Sequence, residues 1–133
     1  SNEEYKRYDL IFLALEELKN KNVRFVLTLS KQDLNDECLN IYNKYPNNFE
    51  LVGYLDEESL YKYYASSILV FPSNIESLGL PLLEAKSVGA KIIASDINTS
   101  KEVLGDYDNV IFFKKNNYKQ LANIIEGLID ERK

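Results

Sequence analysis

Apolar residues recur along this chain with two alternating periods. From Arg7 to Lys19, the residues Tyr8, Ile11, Phe12, Leu15 and Leu18 return at steps of three and four, which predicts an amphipathic helix. Asn20-Lys21-Asn22 breaks that stripe, and Val23–Leu29 (VRFVLTL) reads as a strand. Leu34, Cys38, Ile41, Tyr42 and Tyr45 give a second helical stripe, stopped by Pro46. Phe49–Val52 is a short strand closed by Gly53. Asp56 is an expected N-cap, with Glu57 and Glu58 near the positive end of the helix dipole and Leu60, Tyr63 and Tyr64 behind them.

The second half repeats the alternation. Ile68–Phe71 (ILVF) is apolar on both faces, the mark of a central strand in a parallel sheet. After the loop PSNIESLG comes a helix with Pro81 near its first position and Gly89 at its end, the asymmetry of helix termini. Lys91–Ala94 (KIIA) is a strand, and Thr99 with Glu102 has capping-box spacing before a short helix closed by Gly105. Val110–Phe113 (VIFF) is a fifth strand. Asn117 and Gln120 open a last helix striped by Leu121, Ile124, Ile125 and Leu128.

Strands and helices alternating at these intervals suit right-handed crossovers, so the expected class is α/β, an open Rossmann-like parallel sheet with helices on both faces. No linker, repeat or low-complexity tract divides residues 1–133, which are taken as one domain. The first element is a helix with no strand before it. A doubly wound domain begins with a strand, so one is expected upstream of residue 1.

Composition narrows the chemistry. Without histidine there is no Ser-His or Cys-His pair, no histidine base and no imidazole-bound zinc. Cys38 is the single cysteine, which excludes internal disulfides and thiolate metal cages, and its apolar stripe marks it as a core residue. A net charge of −5 argues against nucleic acid or an anionic membrane surface as the main partner. No apolar run approaches the roughly 18 residues of a membrane span.

Ligands of open α/β sheets sit beyond the carboxyl ends of the strands. There the loop after ILVF runs Pro72-Ser73-Asn74-Ile75-Glu76-Ser77-Leu78-Gly79-Leu80-Pro81-Leu82-Leu83-Glu84-Ala85. Gly79 permits a tight turn, and the following helix start offers backbone N–H groups to an anion or a sugar oxygen. Glu76 precedes that helix and Glu84 lies about one turn inside it. Two carboxylates would repel a bare phosphate, but they accept well from hydroxyl groups. A nucleotide sugar presents both chemistries. From spacing alone, Glu76 and Glu84 read equally well as ordinary carboxylates at a helix start.

This stretch resembles the signature of the retaining group 1 glycosyltransferases (family four), Pro-Ser, a spacer, Glu, seven residues and a second Glu. Pro72, Ser73, Glu76 and Glu84 carry the match, with Gly79, Leu80, Pro81, Leu83 and Ala85 agreeing. The likeness continues through Gly89, KIIAS and Glu102-Val103, backwards through FELVGYLDEESL, and to Glu4–Asp9, which is similar to the family's Tyr-Lys-Gly-His-Asp segment. Two departures are Leu78 for the usual Phe and Arg7-Tyr8 for Gly-His.

The resemblance implies the C-terminal, donor-binding half of a GT-B enzyme that moves a hexose-type unit without a metal or other cofactor. It implies that Glu84 holds the ribose hydroxyls, Glu76 contacts the donor sugar near the reacting carbon, and backbone N–H groups around Leu78, Gly79 and Leu80 meet the sugar and diphosphate. Lys6 would neutralise charge on the leaving diphosphate, and the loop at Gly53-Tyr54 would line the base pocket. The implied partners are a nucleotide-diphosphate sugar, the enzyme's own N-terminal acceptor domain, and a sugar, lipid or polysaccharide acceptor, in polysaccharide biosynthesis. The family's phosphate-binding Arg lies on the expected upstream strand. This chain alone is therefore expected to self-associate and to lack transfer activity, and the full enzyme to work in the cytoplasm, peripheral to the inner face of the membrane.

Other readings stay open on the residues. A sugar-nucleotide epimerase shares the fold, although such sites lean on histidine. A non-catalytic α/β nucleotide-binding module is a third, but Ser30-Lys31 and Gly53 stand where a receiver-like domain needs its acidic residues. Asp106-Tyr107-Asp108 resembles a metal-binding Asp-x-Asp, yet it precedes its strand and so falls at the wrong sheet edge; it reads as a turn. Glu102 reads as a cap and not as a ligand.

Overall fold

The computed structural model describes residues 7–74 and 79–131. Lys6, Glu76 and Leu78 therefore lie outside the described residues. Chain order is α1 (Asp9–Glu17), β1 (Phe25–Leu27), α2 (Asp36–Lys44), β2 (Phe49–Leu51), α3 (Glu57–Ser66), β3 (Leu69–Phe71), α4 (Leu80–Ser87), β4 (Ile92–Ser95), α5 (Asn98–Leu104), β5 (Val110–Phe113) and α6 (Tyr118–Glu131). All the described strand pairs are parallel, β1 with β2 in one sheet and β3–β4–β5 in another. The α/β class expected from the alternating periods is the one observed. The described residues divide into two compact units.

The unit built on β3–β5 comprises Asp56–Asn117 with Arg7 and Tyr8. Its middle strand, β4, pairs on both edges, Ile92 with Leu69 and Val110, Ala94 with Phe71 and Phe112. All four β4 residues are buried, so both faces are covered, as a strand apolar on both sides requires. Tyr64, Phe71, Leu82, Ala85, Ile92 and Leu104 form the core around it. The predicted helix ends hold at α3 and α4. Asp56 Oδ1 accepts the Ser59 N–H at 2.8 Å, which also holds its carboxyl below the usual range. Pro81 lies in the first turn of α4. At the other end Gly89 turns left-handed while the Ala90 N–H reaches back to the Ala85 carbonyl.

The Thr99–Glu102 capping box does not form. Helix α5 begins at Asn98 with Ile97 at the cap position in extended backbone and no side-chain cap bond. Ser100 and Leu104, both fully buried, set the phase of this short helix, which leaves Thr99 inside its first turn and Glu102 exposed. A reciprocal pair forms instead at Ser30 and Asp33, whose carboxylate accepts from both the backbone N–H and the hydroxyl of Ser30 around a 3-10 turn. Those bonds hold the Asp33 carboxyl below its ordinary pKa.

The second unit spans Asp9–Leu55 and the residues from Tyr118 onward. Its ladder pairs Phe25–Leu27 with Phe49–Leu51, shorter than the predicted Val23–Leu29 strand, and beyond it single N–H groups of Val52 and Gly53 still donate to the Leu27 and Leu29 carbonyls. Phe49 stacks on Phe12 of α1 with ring centres 4.4 Å apart. The Glu126 carboxylate of α6 accepts the N–H groups of Lys19 and Asn20 just past α1. Among the described residues no helix is long and apolar enough to cross a membrane.

Gly79 and Gly89 flank α4 and both have positive φ, at +61 and +72. A Cβ at position 79 would lie 3.0 Å from Val103 Cγ2, whereas one at 89 would meet nothing within 4 Å. Gly89→Ala should therefore cost about 1 kcal/mol, and Gly79→Ala about 2 kcal/mol or more, in urea unfolding. Equal losses would show that the contact with Val103 adds nothing.

Cys38 is buried as the apolar stripe predicts. Burial first, then the charges of Asp9 and Glu37, push its thiol pKa up to about 12. Iodoacetamide at pH 8.5 should leave the folded chain unmodified and label it once urea unfolds it. Rapid labelling of folded protein would contradict this placement.

Candidate functional site

The start of α4 is built by the loop leaving the carboxyl end of β3. Pro72 and Ser73 are buried directly after Phe71, and Gly79 ends the loop in a left-handed turn at the helix N-cap. The Gly79 carbonyl accepts from the N–H groups of Leu82 and Leu83, which closes the first turn. A Cβ at Gly79 would press on Val103 Cγ2 and touch Thr99 Cγ2 of α5, in a left-handed backbone that already favours glycine. Lys86 Nζ donates to the Val103 carbonyl, a second tie between α4 and α5.

Leu80 opens α4 and Glu84 follows one turn later. Leu80 is exposed, and Glu84 is half-buried. The Tyr64 hydroxyl donates to Glu84 Oε1 at 3.0 Å. A carboxylate with one fixed donor keeps acceptor positions on both oxygens for further hydroxyl groups. Near the same edge, Asn74 Oδ1 and Ser95 Oγ are buried without a hydrogen-bond partner among the described residues.

The structure thus brings together Gly79, Leu80 and Glu84 of the predicted residues. Lys6, Glu76 and Leu78 fall outside the described residues. Tyr54 belongs to the other unit, where it follows β2 and is 93% exposed, an aromatic ring open to solvent. Gly53 before it takes a φ of +67, and its N–H donates to the Leu29 carbonyl. Asp106-Tyr107-Asp108 lies in the turn between α5 and β5, at the amino edge of the sheet. There the Tyr107 N–H closes on Leu104 and its hydroxyl donates to the Ala90 carbonyl, just before β4. It is a structural turn, as the spacing suggested.

Tyr64 is the contact residue that the sequence did not single out. It reads as one more apolar position on the α3 stripe, and nothing local links it to a glutamate twenty positions later.

Comparison with known proteins gives the family. A segment of 56 residues is 43% identical to the O-antigen chain mannosyltransferase B of Escherichia coli, covering 41% of this chain and 15% of that protein. The chain thus spans only a minor part of the relative's length. The family described as "Glycosyl transferases group 1" matches residues 2–133, nearly the whole sequence, and the chain belongs to that family.

Proposed function

We propose that this chain is the donor-binding part of a retaining glycosyltransferase that transfers a hexose-type sugar from a nucleotide diphosphate to an acceptor glycan, lipid or small molecule. The observation that carries this reading is the start of α4. A left-handed glycine presents a helix N-terminus at the carboxyl edge of a parallel sheet, with a half-buried carboxylate one turn inside. The helix start suits the diphosphate and the sugar oxygens, and Glu84 suits the two hydroxyls of a ribose. The mannosyltransferase relative makes mannose the first sugar to test.

In the proposed reaction, the bond between the sugar's anomeric carbon and the diphosphate oxygen breaks as the acceptor oxygen bonds to that carbon on the same face. The acceptor's proton passes to the departing phosphate oxygen. Lys6 and the N–H groups near Gly79 offset the charge that develops there, the task a metal performs in other sugar transferases. Glu76 fixes the sugar beside the bond being broken. The acceptor is held by an N-terminal domain, in an enzyme of polysaccharide assembly at the inner face of the membrane.

Two substitutions divide the labour. Glu84→Ala should weaken nucleoside diphosphate binding by about 1.5–3 kcal/mol. It should leave the binding of 2′,3′-dideoxy forms unchanged, as measured by calorimetry. Glu76→Ala should leave nucleotide affinity nearly intact while sharply lowering turnover in the full-length enzyme, since its contact adjoins the reacting carbon. Equal losses of nucleotide binding in both variants, or a Glu84→Ala chain that still discriminates ribose from dideoxyribose, would sink this assignment.

A further inference from the structure

Glu84 is a long side chain with three rotatable bonds, and its usefulness as a diol acceptor depends on where its carboxylate is held. The hydroxyl that holds it comes from Tyr64, on the neighbouring helix α3, at 3.0 Å from Oε1. Tyr64 is 6% exposed, so its hydroxyl has little recourse to solvent. Its ring sits in the core with Phe71, Leu82 and Ala85, and Tyr61 meets it edge-on at 5.6 Å and 89°. The ring therefore cannot follow the carboxylate about; the carboxylate must come to the hydroxyl. Burial, then the hydrogen bond to Glu84, push the phenol pKa up, so it stays a donor throughout neutral pH. Phenylalanine would fill the same space, which means that the oxygen answers to Glu84 and not to packing.

We propose that Tyr64 is the positioning residue for Glu84 in recognition of a vicinal diol: its hydroxyl pins Oε1 and leaves Oε2, with the second lone pair of Oε1, to accept the two ribose hydroxyls. This role rests on the donor-binding reading above. A carboxylate fixed before the ligand arrives loses less rotational freedom on binding, so the tether appears as affinity for the diol alone.

The test uses Y64F, which removes one oxygen and keeps the ring, in the 133-residue chain. Calorimetry would give the affinities of UDP, GDP and ADP and of their 2′,3′-dideoxy counterparts, with unfolding followed by circular dichroism. The best-bound ribonucleotide should lose about three- to tenfold in affinity, and its dideoxy form should lose nothing. In the Glu84→Ala background Y64F should have no further effect on either form. Unchanged ribonucleotide affinity, equal losses for both forms, or full additivity with Glu84→Ala would overturn the role of Tyr64. Wild-type chain that discriminates the two forms, together with Y64F that discriminates equally well, overturns Tyr64 alone. Wild-type chain that does not discriminate them overturns the Glu84 assignment and Tyr64's role with it. Should Y64F fail to fold, the hydroxyl proton of Tyr64 remains a readout. It should be a slowly exchanging NMR resonance in the wild type and be lost in Glu84→Ala, and its absence from the wild type would contradict the tether.

Discussion

A Cβ at position 79 would stand 3.0 Å from Val103 Cγ2, in a backbone already turned to φ +61. That close seat of Gly79 on α5 sets where α4 can begin. The position of α4 in turn sets where its first N–H groups and Glu84 lie relative to the carboxyl edge of β3. The helix is only eight residues long, so it has little packing of its own with which to choose another seat. Leu82 and Ala85 bury its inner face, while Leu80 and Leu83 remain exposed on the outer one. A single glycine thus couples the packing of two helices to the placement of the helix start proposed to meet the donor.

The same economy governs the polar groups. Glu84 is anchored by a phenol that belongs to the core, and α4 is tied to α5 by Lys86. On β4, buried on both faces, the chain can carry only residues that tolerate enclosure, which is why it reads Ile-Ile-Ala-Ser. The chemistry is therefore displaced to the strand ends and the helix start. This is the general location of ligand sites in parallel sheets, and it follows from burial without reference to any particular substrate.

What the sequence made legible was what neighbouring residues decide. Asp56, Pro81 and Gly89 act within one turn of their own positions, and each marks the helix end it predicted. The period of the apolar residues gave the alternation of helices and strands. Long-range geometry was not legible. Val23–Leu29 looks like a seven-residue strand, but the ladder covers only Phe25–Leu27 against Phe49–Leu51, with single bonds from Val52 and Gly53 beyond it. Thr99 and Glu102 have the spacing of a cap, yet the burial of Ser100 and Leu104 chose the phase of α5. The bond from Tyr64 to Glu84 joins two helices that β3 separates in the chain, and no local pattern encodes it. Gly79 shows the limit from the other side. Its motif marks it as a turn, but the reason that a turn alone would not require glycine so strictly, the approach of Val103, is visible only in three dimensions.

The central claim is that a nucleoside diphosphate docks at the start of α4. An amide-resolved NMR titration of this chain with UDP, GDP and ADP in turn tests it most directly. The account predicts that at least one of them shifts the amide resonances of Gly79, Leu80 and Glu84, while Asp106, Tyr107 and Asp108 at the opposite edge of the sheet stay in place. Shifts confined to Asp106–Asp108, or spectra unmoved by millimolar concentrations of all three, would contradict it.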